Sequence, residues 1–351
     1  MKNNELLRRS LDVLQRLIST VPSISAIAEP KLRPSGRAGP DMIWDMVAGG
    51  KPVTILAQIV PLGQPRYLRS AAELMRRWVK GAHPKAAYGL VVARFISDEG
   101  ASILTDAGIG YVDLAGNCLI SVNNVYVERR TGPNPLPSTR QIKSLFFPKA
   151  SRILRVLLCN PTRMWRVTEL AEEARVSLGQ TYNVKRKLID YELLTLDQSR
   201  RLKLANPSAL LDRWRENYTF RNNVIADFYS MERPEQIEES VRKWLDRQHL
   251  RYAFTLFSGA RRVAPFVRQA RVALYVDTDV FEVAAACGFK DVDTGANVHL
   301  LRPYDDGIYY AVQRPHGASV VSDIQLYLDL YSYRGRGAEQ AEFLRYQRIG
   351  F

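Results

Sequence analysis

SLGQTYNVKRKLIDY, residues 177–191, decides how the middle of this chain is read. Ser177 is of the type that caps a helix, and Thr181, Val184 and Leu188 recur at the spacing of one buried helical face. The same turns put Gln180, Tyr182, Asn183, Arg186 and Lys187 outside. Just upstream, WRVTELAEEARV (165–176) predicts a shorter helix, with Thr168 as N-cap and Leu170, Ala171 and Ala174 facing inward. Arg175-Val176-Ser177 is the turn between the two. ASRILRVLLCNP (150–161) predicts a first helix stopped at Asn160-Pro161. Downstream, Leu193-Leu194 leads into TLDQSRRLKLANP (195–207), a hairpin carrying Arg200, Arg201 and Lys203.

Three helices followed by a hairpin make a winged helix-turn-helix, expected over residues 146–215. Its second motif helix suits a major groove, because Gln and Asn can pair with adenine and Arg with guanine. Ser177, Gln180, Tyr182, Asn183, Arg186 and Lys187 form the expected reading surface, and Arg200, Arg201 and Lys203 the expected phosphate contacts of the wing. The expected ligand is double-stranded DNA, and a homodimer on paired half-sites follows from how such motifs usually act.

Charge agrees with a polyanionic partner. The 351 residues carry a net +14. Residues 1–150 hold a net +9, residues 151–215 a net +6 and residues 216–351 a net −1. No apolar run is long enough to span a bilayer, and the N-terminus is broken by Glu5, Arg8, Arg9, Asp12 and Arg16, unlike a signal peptide. Cys118, Cys159 and Cys287 are widely spaced, which argues for a reducing cytoplasm and against a cysteine zinc site.

Either side of the middle segment the chain reads as mixed α/β, giving a multidomain α+β and α/β protein. Residues 1–145 alternate helix and strand: helix 5–21, strand 51–60, helix 69–81, strand 87–95, helix 99–108, then strands at 109–116 and 118–130. A Pro/Gly-rich linker, TGPNPLPST (131–139), follows. Residues 216–351 read as mostly helical over 224–251, then strands at FTLFSG, RVALYVD, NVHLLRP and GIYYAVQ, then helices near 321–331 and 337–346. Asp113, Gly116 and Asn117 read as a turn closed by local hydrogen bonds.

The first domain resembles the PD-(D/E)xK nucleases, with a restriction-endonuclease-like fold. Pro40-Asp41 stands at the right distance before Gln58-Ile59-Val60. Gln58 occupies the place of the second carboxylate and Val60 that of the lysine, so the resemblance implies a fold without its metal ligands. Arg66, Arg69, Arg76, Arg77 and Lys80 could still grip DNA. In the last domain, Ser258-Gly259 with Asp277 and Asp279 faintly resembles a nucleotidyltransferase site, but both acids read better as solvated strand ends. No catalytic residue, metal ligand or cofactor is expected.

The whole resembles the AbiEi family of antitoxin-like transcriptional regulators of type IV toxin–antitoxin systems. GIGYVDLAGN (108–117), the winged helix and VVSDIQLYLDLYSYRGRGAEQAEFL (320–344) carry this resemblance, the last through Asp329 in LDL and Gly335-Arg336-Gly337 before Glu339 and Ala341. It implies DNA binding, autoregulation of a neighbouring toxin operon and a nucleotidyltransferase-like C-terminal domain that need not catalyse. The order departs from the family's, because a nuclease-like domain precedes the winged helix. The competing functions are a metal-dependent DNA nuclease and a protein-interaction scaffold.

Overall fold

The computed structural model describes residues 3–33, 39–81, 86–131, 144–268 and 270–351. The linker expected at 131–139 lies, beyond its first residue, outside them. The chain forms two compact units, Met1–Arg140 with Ile189–Glu192, and Gln141–Leu188 with Leu193–Phe351.

The first unit is a sheet between helices. Helix α1 (Asn3–Ser19) precedes β1 (Ile24–Ala26), β2 (Lys31–Leu32), β3 (Met42–Ala48) and β4 (Lys51–Val60). Helix α2 (Pro65–Gly81), β5 (Ala87–Ala93), α3 (Asp98–Asp106), β6 (Gly110–Asp113), β7 (Cys118–Val122) and β8 (Val125–Arg129) follow. The strands run β1-β3-β4-β5-β6-β7-β8, with β2 also on β3. Strands β4, β5 and β6 are parallel, as crossovers through α2 and α3 require, and the remaining pairings are antiparallel. Alternate residues serve opposite faces. Ile55, Leu90 and Val92 pack with Leu14 of α1, while Leu56, Val91 and Ala93 pack under Leu68 and Met75 of α2. Strand β3 was not read from the sequence. Its Met42, Trp44, Met46 and Ala48 are buried, with half-buried residues between them.

The second unit opens with helices α4 (Pro148–Cys159), α5 (Val167–Glu173) and α6 (Leu178–Asp190) and the antiparallel pair β9 (Leu194–Leu196) and β10 (Leu202–Leu204). Trp165 exchanges backbone hydrogen bonds with Leu202 at 3.0 and 2.7 Å, adding a rung beside the hairpin. Helix α5 begins one residue before the expected cap. Thr168 is inside the helix and exposed, and Glu169 accepts the Arg166 amide at 3.0 Å instead.

Helix α7 (Pro207–Asn217) leads to β11 (Val224–Tyr229), α8 (Pro234–Arg247), β12 (Tyr252–Phe254), α9 (Leu256–Val263), β13 (Val272–Val276), α10 (Val280–Ala286), β14 (Lys290–Asp291), β15 (Val298–Arg302), α11 (Asp323–Ser332) and α12 (Gly337–Leu344). The sheet order is β12-β13-β15-β11-β14. Two expectations are corrected here. Residues 224–229 are a strand, not helix, because their amides pair with β15 from Val224↔Arg302 to Phe228↔Val298. GIYYAVQ is not a strand. Asp305 accepts the Gly307 amide, closing a 3-10 turn over Asp306–Tyr309, with Ile308 fully buried as its anchor. FTLFSG likewise ends β12 and starts α9.

The sequence places a boundary at 215/216, yet residues on both sides of it belong to this one unit. Helix α11 lies inside it, with Ile324 through Leu330 all buried, the pattern of a central core helix.

Candidate nucleic-acid interface

Helix α6 is divided by exposure. Thr181, Val184 and Leu188 are buried, while Tyr182, Asn183 and Arg186 are exposed one turn apart. Ser177 accepts the Gln180 amide at 3.3 Å, and the Thr181 hydroxyl donates to the Ser177 carbonyl at 3.1 Å, so the helix start is closed locally. Its first turn carries no acid, leaving the amide end electropositive. Arg175 holds a φ of 52° in the turn before it, where glycine is the easier residue. Gln180 is half-buried. Lys185 lies 5.5 Å from the centre of the Tyr182 ring, which steadies that side chain.

Lys187 differs from its expected outward position. It is half-buried and donates to the Ser144 hydroxyl at 2.5 Å. Burial pulls its ammonium below the ordinary value, and the adjacent Arg186 charge pulls the same way. It is a tether between α6 and the segment entering α4.

At the hairpin tip, Asp197 Oδ1 accepts the Arg201 amide at 2.7 Å and the Asp197 carbonyl accepts the Arg200 amide at 3.0 Å. Arg200 has a φ of 59°. Arg200, Arg201 and Lys203 are exposed, with Lys203 opposite Thr195 across the ladder. Two cations escaped the sequence reading. Arg163 stacks 3.7 Å above the Trp165 ring, and exposed Arg175 sits in the turn. Leu178, at the start of the helix, is also exposed.

A buried polar network anchors this segment, and its geometry was also invisible in sequence. Arg155 of α4 is fully buried and donates from Nε and Nη2 to Gln325 Oε1 at 2.9 and 2.6 Å, from Nη1 to Ser151 at 2.9 Å and from Nη2 to Tyr304 at 3.2 Å. Gln325 Nε2 donates to Asp329 at 2.9 Å. Asp329 also accepts Tyr218 and Thr255, both at 2.5 Å, and Tyr275 at 3.1 Å. Burial lifts the Asp329 pKa and its four donors pull it back. Arg152 grips Asp305 through two bonds at 2.7 and 2.9 Å. Burial opposes ionisation of Asp305, but the guanidinium outweighs it and holds the carboxyl below its ordinary range.

The acids considered for catalysis have structural partners. Asp41 accepts the Ile59 amide at 2.8 Å, and burial raises its pKa against that bond. Val60 is buried, and Gln58 stands opposite Val91 in the sheet. Asp113 is buried and accepts the amides of Ile96, Ala115 and Asn117 and the Asn117 side chain, which closes the 113–117 turn. Asp279 caps α10, and Asp277 pairs with Arg251 at 2.6 Å. Ser258 is buried and accepts the Ala273 amide at 3.0 Å. Among the described residues no cluster of three or more His, Cys, Asp or Glu is placed to hold a metal, and no helix is long and apolar enough to cross a membrane. On α2, Arg66, Arg69, Arg77 and Lys80 are exposed, and Arg76 donates to the carbonyls of Asp106 and Ala107 at the end of α3.

Comparison with known proteins adds one finding. No curated protein and no solved structure matches the chain. The helix Leu178–Asp190 and the 108–117 turn lie outside the stretch that does match a family. Residues 201–349, from the second strand of the hairpin to the C-terminal turn, match the AbiEi_2 family, described as "Transcriptional regulator, AbiEi antitoxin, Type IV TA system", and this part of the chain is therefore similar to an antitoxin-type regulator.

Proposed function

We propose that this protein is an antitoxin-like transcriptional regulator that binds duplex DNA through a winged helix-turn-helix made of α4, α5, α6 and the β9–β10 wing. The observation that carries the reading is the division of α6. Its buried face fixes the helix, and Tyr182, Asn183 and Arg186 stand on the free face with the side-chain types that read base edges. Arg200, Arg201 and Lys203 serve phosphates from the wing, and the amide end of α6 serves another. Lys187 contributes by positioning α6 rather than by touching DNA. The family match at residues 201–349 supports the regulatory role. In this reading the controlled operon holds a neighbouring toxin gene, and the working form is a homodimer in the cytoplasm.

The protein acts without catalysis in this reading. Asp41 of the N-terminal unit is committed to a backbone amide, and Gln58 and Val60 offer no second carboxylate or lysine. The exposed cations of α2 add a sequence-independent grip.

The test is fluorescence anisotropy with duplex from upstream of the protein's own gene, over a salt series. Asn183→Ala with Arg186→Ala is expected to weaken specific binding by roughly 2–6 kcal/mol, since each good base contact is worth about 1–3 kcal/mol. Arg200→Ala with Arg201→Ala is expected to weaken all duplexes alike and to flatten the salt slope. Equal affinity of wild type and the α6 variant for every duplex overturns the reading. Cleavage of plasmid in Mg²⁺ or Mn²⁺ that disappears in Asp41→Ala replaces it with the nuclease.

A further inference from the structure

The C-terminal body carries a cleft of about 400 Å³ that the DNA-binding reading does not use. Arg221, Arg268, Arg271, Arg334 and Arg336 line it, and no carboxylate does. The remaining charge of this region makes the grouping notable, since residues 216–351 sum to −1. Arg336 is paired with Glu339 at 2.8 Å, and Arg271 donates to the Tyr333 hydroxyl at 2.7 Å. Arg221, Arg268 and Arg334 are exposed and make no side-chain hydrogen bond or ion pair among the described residues.

Five arginines line one concavity, and of them only Arg336 has a carboxylate partner among the described residues, so the cleft carries uncompensated positive charge. A ligand with several negative charges compensates it. The cations are all arginine, the side chain whose planar fork meets phosphate through two parallel bonds. The volume suits a small molecule rather than a duplex. One wall is aromatic. Tyr333 stacks on Phe220 at 5.8 Å and meets the edge of Phe257 at 5.5 Å, which offers a flat surface beside the charged mouth. The rim is the Tyr333–Arg336 turn, where Gly335 takes a φ of 84° between Arg334 and Arg336.

We propose that this cleft is a binding site for a small polyphosphate-bearing ligand of the nucleoside di- and triphosphate class. The phosphates lie among the five arginines, and the aromatic wall receives the nucleoside. Inorganic tripolyphosphate shares the charge and lacks the ring, so the two sources separate experimentally.

The experiment is isothermal titration calorimetry of the full chain at low salt with ATP, GTP, inorganic tripolyphosphate and adenosine. The triphosphates are expected to bind, adenosine is not, and a nucleotide that binds more tightly than tripolyphosphate assigns the aromatic wall. Equal affinity for ATP and tripolyphosphate overturns the nucleoside part. Arg221→Ala/Arg268→Ala/Arg334→Ala is expected to lower triphosphate affinity by at least about 100-fold. All three side chains are exposed, and an unchanged melting curve shows that the variant folds. Arg268→Lys keeps the charge but not the fork, and is expected to lose roughly fivefold. Arg186→Ala is expected to bind triphosphate as wild type does, so failure here is separate from failure of DNA binding. No binding of any triphosphate, or equal binding by the triple variant, overturns the proposal. Binding of single-stranded oligonucleotide alone also overturns it.

Discussion

Replacing Arg155 with methionine tests what holds the helical segment Pro148–Asn217 in place. Methionine keeps an apolar stem of similar length against Trp214, whose ring lies 4.9 Å from the guanidinium. It removes both donors to Gln325, the donor to Ser151 and the donor to Tyr304. Gln325 Oε1 is then buried without that partner, at about 1–3 kcal/mol, and the half-buried Tyr304 oxygen loses its partner too. Asp329 also loses the compensating charge on the far side of Gln325. Relief of the arginine's own desolvation works in the opposite direction. It would win only if the whole network were exchanged for apolar residues, and removing one member of a buried charged set costs about 3–5 kcal/mol. Against a total stability of about 5–15 kcal/mol, that is a large share. At a urea slope of about 2 kcal/mol per molar, the unfolding midpoint should fall by about 1.5–2.5 M. The assay is urea unfolding by tryptophan fluorescence, with pulsed hydrogen exchange assigning the transition to Pro148–Asn217. A fall of less than about 0.3 M would refute the argument that this network carries the attachment.

Acid should weaken the Arg152–Asp305 pair. Asp305 has a folded pKa below the ordinary 3.8, so it stabilises the fold above that value and the contribution is lost as pH falls through its lowered pKa. Denaturation midpoints followed from about pH 6 to about pH 3 should drop more steeply for wild type than for Asp305→Asn, and parallel curves count against the pair. Gly259→Ala places a Cβ 2.9 Å from Leu326 Cδ1, 3.1 Å from the Phe254 carbonyl oxygen and 3.2 Å from Val320 Cγ1. Overpacking of this kind costs about 1–3 kcal/mol, and an unchanged melting temperature would show that α9 can move away.

Local signals carried the sequence reading where neighbours in the chain are also neighbours in space. Ser177, Thr181, Val184 and Leu188 sit within four turns, so cap and buried face alone place α6. The β4–α2–β5–α3–β6 alternation is legible for the same reason, because each strand is a short apolar run closed by turn residues. Residues 224–251 are helical only from Pro234, which starts the helix. VIADFY before it pairs with a strand more than seventy positions away, which no local pattern reports. GIYYAVQ has the composition of a strand and spends its amides on a turn instead. The buried network was the least legible. Nothing local marks Arg155 as buried rather than solvated, and its partner Gln325 is 170 positions away. Asp329 was visible as a residue within LDL, but Tyr218, Thr255 and Tyr275 reach it from 111, 74 and 54 positions away.

On the proposed function, the attachment through Arg155 has a consequence for operator architecture. Helix α4 is spliced into the C-terminal body by buried bonds, which restrain α6 on that side. Two copies paired through their C-terminal bodies would present their reading helices at one angular phase. A single base pair inserted between half-sites turns one of them by about a tenth of a revolution around the duplex. A regulator on flexible tethers absorbs that rotation; one joined in this way passes it on as strain, and its binding should recover only when the insertion reaches a full helical repeat.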